Sequence, residues 1–172
     1  MREAAERFGR LDALINNAST FYPTPVGSIT ESDWDDLVGT NLKAPVFLCQ
    51  AAAPFLAESG GSILNLVDIH ARRPIRDHAV YCAAKAGLVA LTQALAKDLG
   101  PEIRVNAIAP GAILWPESGL EEAARDEIIA RTALARAGDP EDIVACARYL
   151  LGDAGYVTGQ VIAVDGGRSL GW

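Results

Sequence analysis

Four short apolar runs, each closed by a polar residue or a tight turn, recur along the chain with helical stretches between them. They occupy residues 11–16, 62–67, 103–108 and 161–164. Apolar-rich runs of this length suit strands buried on both faces. Strands that alternate with helices predict a parallel sheet covered on both sides, an α/β fold. At 172 residues the chain fits one domain with a real core, and it shows no internal repeat, low-complexity segment or linker.

The helical stretches carry their own punctuation. Thr30-Glu31-Ser32-Asp33 reads as a capping box, and helical periodicity then runs from Trp34 towards Phe55, with Pro45 and Pro54 inside it as candidate kinks. A long helix is expected over about residues 79–99, stopped by Gly100-Pro101. A short acidic helix is expected over about 120–132, and a last one from Asp139-Pro140-Glu141-Asp142 to Leu151.

Charge narrows the function classes. The formal net charge is −7, and the densest basic group, Arg72, Arg73 and Arg76, is offset by acidic runs such as Asp33, Asp35 and Asp36. Nucleic-acid binding is not expected. No uninterrupted apolar run appears long enough to span a bilayer, and Met1 to Arg7 has no apolar signal core, so the expectation is a cytoplasmic protein without a membrane partner. Cys49, Cys82 and Cys146 are far apart and odd in number, which suits reduced thiols. His70 and His78 have no ligand-spaced partners, so no metal site is expected; His70 is also open to a place at a substrate mouth.

The chemistry centres on Tyr81-Cys82-Ala83-Ala84-Lys85. A Tyr and a Lys at i and i+4 share one helix face, so a phenol and an ammonium can share a site. The cation is expected to lower the phenol's pKa towards working pH and make Tyr81 a proton donor. Alone, that spacing is common on helices. Asp68 strengthens it, lying 13 residues earlier at a strand end. Asn16-Asn17-Ala18-Ser19 and Pro110-Gly111 close the neighbouring strands, at the edge where parallel sheets bind ligands.

On these residues the chain resembles the short-chain dehydrogenase/reductase family along almost its whole length. Asn16 to Ser19 resembles the family's N-N-A-G turn, Asn41 its helix asparagine, and Tyr81 with Lys85 its Y-x-x-x-K pair. Arg104 to Gly111 resembles R-V-N-x-x-x-P-G, and Val164 to Gly167 the terminal V-D-G-G. The resemblance implies the C-terminal part of a Rossmann-like doubly wound parallel sheet, about four strands. It implies that Tyr81 is the general acid, that Lys85 binds the nicotinamide ribose and that Asn41 anchors a relay water. Asn17, Ala18, Ser19, Leu66, Pro110 and Gly111 would flank the cofactor. It also implies a homo-oligomer, a tetramer through the long helices.

Two departures point to the pteridine reductases within that family. Asp68 stands where most members have a catalytic Ser, and Ser19-Thr20-Phe21-Tyr22-Pro23-Thr24-Pro25 resembles the pteridine reductase segment. The resemblance implies an NADPH-dependent reductase of a dihydropterin or dihydrofolate-like substrate, with Phe21, Asp68 and Tyr81 against the ring and Phe21 stacked on it. Phe21 is also open to ordinary loop packing and Trp115 to a pocket cover or a core position; a purely structural hydrogen bond is the lesser reading of Asp68, given its spacing to Tyr81.

The family's glycine-rich phosphate loop, T-G-x-x-x-G-x-G, does not precede Leu11. The expectation is a domain that lacks its N-terminal dinucleotide-binding segment and leaves the strand at 11–16 as an open sheet edge. The residue that selects NADPH or NADH would lie in that segment, so NADH stays open. Two alternatives remain: a generic short-chain carbonyl reductase, and a catalytically silent fragment acting through subunit association.

Overall fold

In the computed structural model, which describes residues 1–115 and 121–171, four strands run parallel in the order β1 (Ala13–Asn16), β2 (Ser62–Leu66), β3 (Arg104–Pro110) and β4 (Val161–Val164). Leu14 faces Ile63, and Ile63 faces Val105, across the first three strands. The register brings Asn16, Leu66, Pro110 and Val164 to the same end of the sheet. β1 forms one edge, paired with β2 alone among the described residues, and its Ile15 is 48% exposed.

Helices cover both faces. On one, α3 (Ala44–Ser59) and α4 (Ala79–Asp98) bury Cys49, Ala52, Leu56 and Ala96 against Leu14, Ile63 and Val105. On the other, α6 (Pro140–Arg148) and the wide turn after it set Leu150 and Ala154 against Leu64 and Ile108. Each fully buried Leu or Ile here contributes about 1.5–3 kcal/mol by removal from water. α1 (Arg2–Phe8) ends at Gly9, whose φ of 76° is the left-handed cap that glycine adopts without strain.

The helix expected from Trp34 to Phe55 is two helices. α2 (Glu31–Val38) begins at the expected box, where Thr30 accepts from the Asp33 amide and Asp33 accepts from the Thr30 amide. A π turn over Gly39–Lys43 then separates it from α3. Pro45 explains the break, because it has no N–H for the Asn41 main-chain carbonyl four residues earlier. Pro54 sits inside α3 without ending it. The third strand runs two residues further than its apolar run, through Pro110. α5 spans Glu122–Ala130; the start of the acidic helix expected near 120 lies outside the described residues.

α4 contains no uninterrupted apolar run of membrane length, because Lys85 breaks it. Its 20 residues are long and apolar enough by length and composition to cross a bilayer. Here one face is buried on the sheet, with Tyr81, Cys82, Lys85, Leu88 and Thr92 inward.

Buried polar groups lock the strands in register. Asn16 donates to Asn65 Oδ1 at 2.7 Å, and Asn65 donates to Thr92 Oγ1 at 2.9 Å, which joins β1, β2 and α4. Arg104 donates to the Leu150 and Leu151 carbonyls at 2.6 and 3.0 Å, and Asn106 donates to the Val157 carbonyl while accepting from the Gln160 amide. The Arg-Val-Asn segment therefore ties β3 to the turns before β4.

Candidate active site

The C-terminal ends of β1, β2 and β3 present Ser19, Asp68 and Gly111 to one crevice. α4 starts beside it because His78 leads into Ala79 and places Tyr81 and Lys85 in its first two turns, both on the buried face. Tyr81 donates its phenol proton to Asp68 Oδ2 at 2.6 Å. Asp68 Oδ1 in turn accepts from the His70 amide at 2.8 Å, which fixes the carboxylate. Lys85 donates to the Leu66 carbonyl at 2.9 Å, and its Nζ stands 5.7 Å from the Tyr81 ring centre.

Electrostatics here reverse one expectation. Burial, then the Asp68 charge, then the hydrogen bond to it push the Tyr81 phenol far above its usual range; the Ser19 hydroxyl pulls weakly the other way. Lys85 does not make Tyr81 acidic in this structure. The ammonium is itself destabilised by burial, which brings it down to about 8 against the opposing pull of Asp68. The two side chains share a helix face, as the spacing predicts, but Asp68 lies closer to the phenol oxygen and dominates it.

Asn41 sits in the π turn with its side chain fully engaged. Its amide donates to the Thr20 and Leu37 carbonyls, both at 2.9 Å, and its Oδ1 accepts from Ser19 at 2.6 Å. It thus clamps the Asn-Asn-Ala-Ser turn onto α2, and its side chain does not reach towards Lys85. Asn17, Ala18 and Ser19 are exposed just past β1. Gly111 is tightly held: a Cβ there would stand 2.7 Å from the Asp165 Cα.

A cavity of about 600 Å³ opens beside the acid pair, lined by Phe21, Asp68, Tyr81, Gly111 and Trp115 among others. Phe21 is half-exposed, stacks one face on His78 at 4.6 Å and meets Tyr81 edge-on at 4.8 Å. Trp115 is at the cavity wall with the Arg125 guanidinium 5.5 Å above its ring. His70 also lines the cavity. Leu114, Ile75, Ile128 and Arg168 line it without having been singled out from sequence. None belongs to a motif with a chemical signature; only the neighbouring Val-Asp-Gly-Gly turn marks the place of Arg168.

The donor set suits a sugar of a dinucleotide. Lys85 is 2% exposed and uses one of its three N–H groups on Leu66, which leaves two donors that hydroxyl oxygens could take up. The exposed turn at Asn17–Ser19 and the glycine at 111 flank the same strand ends.

Residues 1–169 match the family model described as enoyl-(acyl carrier protein) reductase. The chain is 36% identical over 171 residues to a 3-oxoacyl-[acyl-carrier-protein] reductase of Thermotoga maritima, covering 97% of this chain and 70% of that one. It is 42% identical over 173 residues to an uncharacterized oxidoreductase of Mycobacterium tuberculosis, covering 96% of this chain and 65% of that one. The crystal structure of a short-chain dehydrogenase/reductase, glucose/ribitol dehydrogenase, from Brucella melitensis is similar with a TM-score of 0.87 at 34% identity, over 97% of this chain and 68% of that one. The chain thus spans about two thirds of the length of the proteins it matches.

Proposed function

The chain belongs to the short-chain dehydrogenase/reductase family of NAD(P)-dependent oxidoreductases, and from that premise we propose that it is the catalytic part of an NADPH-dependent pteridine reductase. The observation that carries the reading is the 2.6 Å hydrogen bond from Tyr81 to Asp68 at the wall of a cavity that Phe21 also lines. Reducing a ring C=N bond requires a proton at nitrogen. The phenol can hand its proton to a ring nitrogen as a hydride reaches the neighbouring carbon, and the carboxylate beside it attracts a ring that carries positive charge at that nitrogen. The half-exposed Phe21 ring offers a flat, apolar wall to such a ring.

The nicotinamide supplies the hydride when bound. Lys85 and the turn at Asn17, Ala18 and Ser19 would hold its ribose, and Leu66, Pro110 and Gly111 would border the ring. Lys85, buried at the Leu66 carbonyl, keeps a cation near the phenol and can restore its proton after transfer. A water held at the Asn41 main-chain carbonyl would extend that path. The preference for NADPH rests on the resemblance to pteridine reductases.

A generic carbonyl reductase is the second reading, favoured by the 36% identity to the 3-oxoacyl reductase. Asp68 weighs against it: a carboxylate 2.6 Å from the phenol repels an oxyanion forming at the same place. The test is a panel of dihydropterin, a 3-oxoacyl thioester and simple ketones, each with NADPH and the purified chain. Oxidation of NADPH by the pterin alone supports the reading. Turnover of the thioester alone selects the second. Absence of saturable NADPH binding selects the silent fragment.

A further inference from the structure

Ile128 of α5 and Arg168 of the last turn line the cavity that holds Asp68 and Tyr81, and Arg168 is a cation that the proposed ring chemistry does not use. The Val-Asp-Gly-Gly segment explains how it gets there. Asp165 accepts from the Gly167 amide at 2.9 Å and from the Ser169 amide at 2.7 Å. Gly166 and Gly167 are both left-handed, and a Cβ on either would stand 2.8 Å from Thr132 or Ala133. The turn is therefore seated against the end of α5, and it delivers Arg168 to the cavity that holds Asp68 and Tyr81.

Arg168 is half-buried and donates once, to the Ile128 carbonyl at 3.1 Å. Among the described residues it makes no ion pair, although Arg131 beside it is paired with Glu127 at 2.6 Å. Burial and then Arg131 disfavour its charge, while Asp165, Asp68 and Glu127 partly offset them without forming an ion pair with it among the described residues. A second observation points the same way. Arg125, over the cavity-lining Trp115, has a buried Nε without a hydrogen-bond partner among the described residues and is likewise unpaired there. Two partly desolvated guanidinium groups along one wall favour a ligand that brings its own anion.

We propose that Arg168 forms an anion subsite at this wall and selects flat heterocycles that bear a carboxylate substituent. The carboxylate accepts from the guanidinium fork while the ring lies in the cavity against Phe21 and the Asp68–Tyr81 pair. This rests on the heterocycle reading of the site. Capping the Ile128 carbonyl at the end of α5 is the competing structural role, and the two differ in what they discriminate.

The test is a fluorescence titration of the full chain, with NADPH present, using pterin and pterin-6-carboxylate as probes. The readout is the ratio of the two dissociation constants. The expected ratio favours the carboxylate by about tenfold, the scale of one charge-assisted hydrogen-bonded contact. Arg168→Met should bring the ratio to about one, and Arg168→Lys should keep part of the preference. Damage to the fold lowers both affinities together and leaves the ratio in place. Equal binding of the two probes by the unmodified chain, or a ratio that survives Arg168→Met, overturns the subsite and leaves the heterocycle reading standing. Failure of both pterins to bind overturns that reading and the subsite with it.

Discussion

Replacing Asp68 by Asn isolates the effect that sets the state of Tyr81. The side chain keeps its shape and an oxygen near the phenol, but the charge 2.6 Å from the Tyr81 hydroxyl disappears. Burial is the largest cause of the phenol's raised pKa and persists in the variant; the Asp68 charge is the next. A charge in direct contact moves a neighbour by about 1–3 pH units, worth about 1.4–4 kcal/mol between the two protonation states. The Tyr81 phenol should therefore stay protonated through an alkaline titration of the unmodified chain and begin to ionise in Asp68→Asn. Tyrosinate absorbance near 295 nm, with the corresponding Tyr81→Phe chain subtracted in each case, reads this directly and needs no substrate. If the two difference curves coincide, the carboxylate does not govern the phenol and the acid pair is no unit. In the same variant, or in Asp68→Ser, pterin reduction should fall by about 10²–10⁴-fold, the usual worth of a positioned proton donor; unchanged turnover would remove Asp68 from the mechanism.

Other outcomes follow from single contacts. Lys85 is charged up to about pH 8 when folded and to about 10.5 when unfolded, so the unfolded chain binds the extra proton between those values and stability rises with pH across that window. Denaturant unfolding should show the unmodified chain gaining about 3 kcal/mol relative to Lys85→Met from pH 7 to above 10.5; a constant difference would show that the ammonium is not destabilised by burial. Asn65→Ala removes two buried hydrogen bonds, leaving the Asn16 amide only the Cys49 sulfur at 3.4 Å and the Thr92 hydroxyl its bond to the Leu88 carbonyl, and should cost about 1–3 kcal/mol in urea, whereas Ser28→Ala, whose hydroxyl reaches only the exposed Pro25 carbonyl, should change little. Gly111→Ala forces a Cβ to 2.7 Å from the Asp165 Cα, so it should lower the thermal midpoint, with a loss of about 1–3 kcal/mol, and loosen the turn that carries Arg168.

The legible part of this protein lies within single elements and between neighbours at fixed spacing. Apolar-rich runs located all four strands, because a strand covered on both faces carries hydrocarbon on both. Thr30 with Asp33 and Asp139 with Asp142 announced two helix starts, because a cap is a contact between residues three apart. The i, i+4 spacing alone puts Tyr81 and Lys85 on one face. The π turn at Gly39–Lys43 was only half legible: Pro45 signalled a disturbance, but whether a kink, a break or a widened turn results depends on what the helix packs against.

What the order of residues determined by itself is the strand–helix alternation, the helix caps and the presence of a phenol, an ammonium and a carboxylate near one end of a parallel sheet. Folding decided the rest: that the phenol is pushed up and not down, that Asn41 spends its side chain on Ser19 and Thr20, and that Arg168 from the far end of the chain enters the same cavity. Spacing reports which side chains share a face of one element, but proton affinity depends on burial and on charges from other elements. Both of those exist only once the layers have closed around the site.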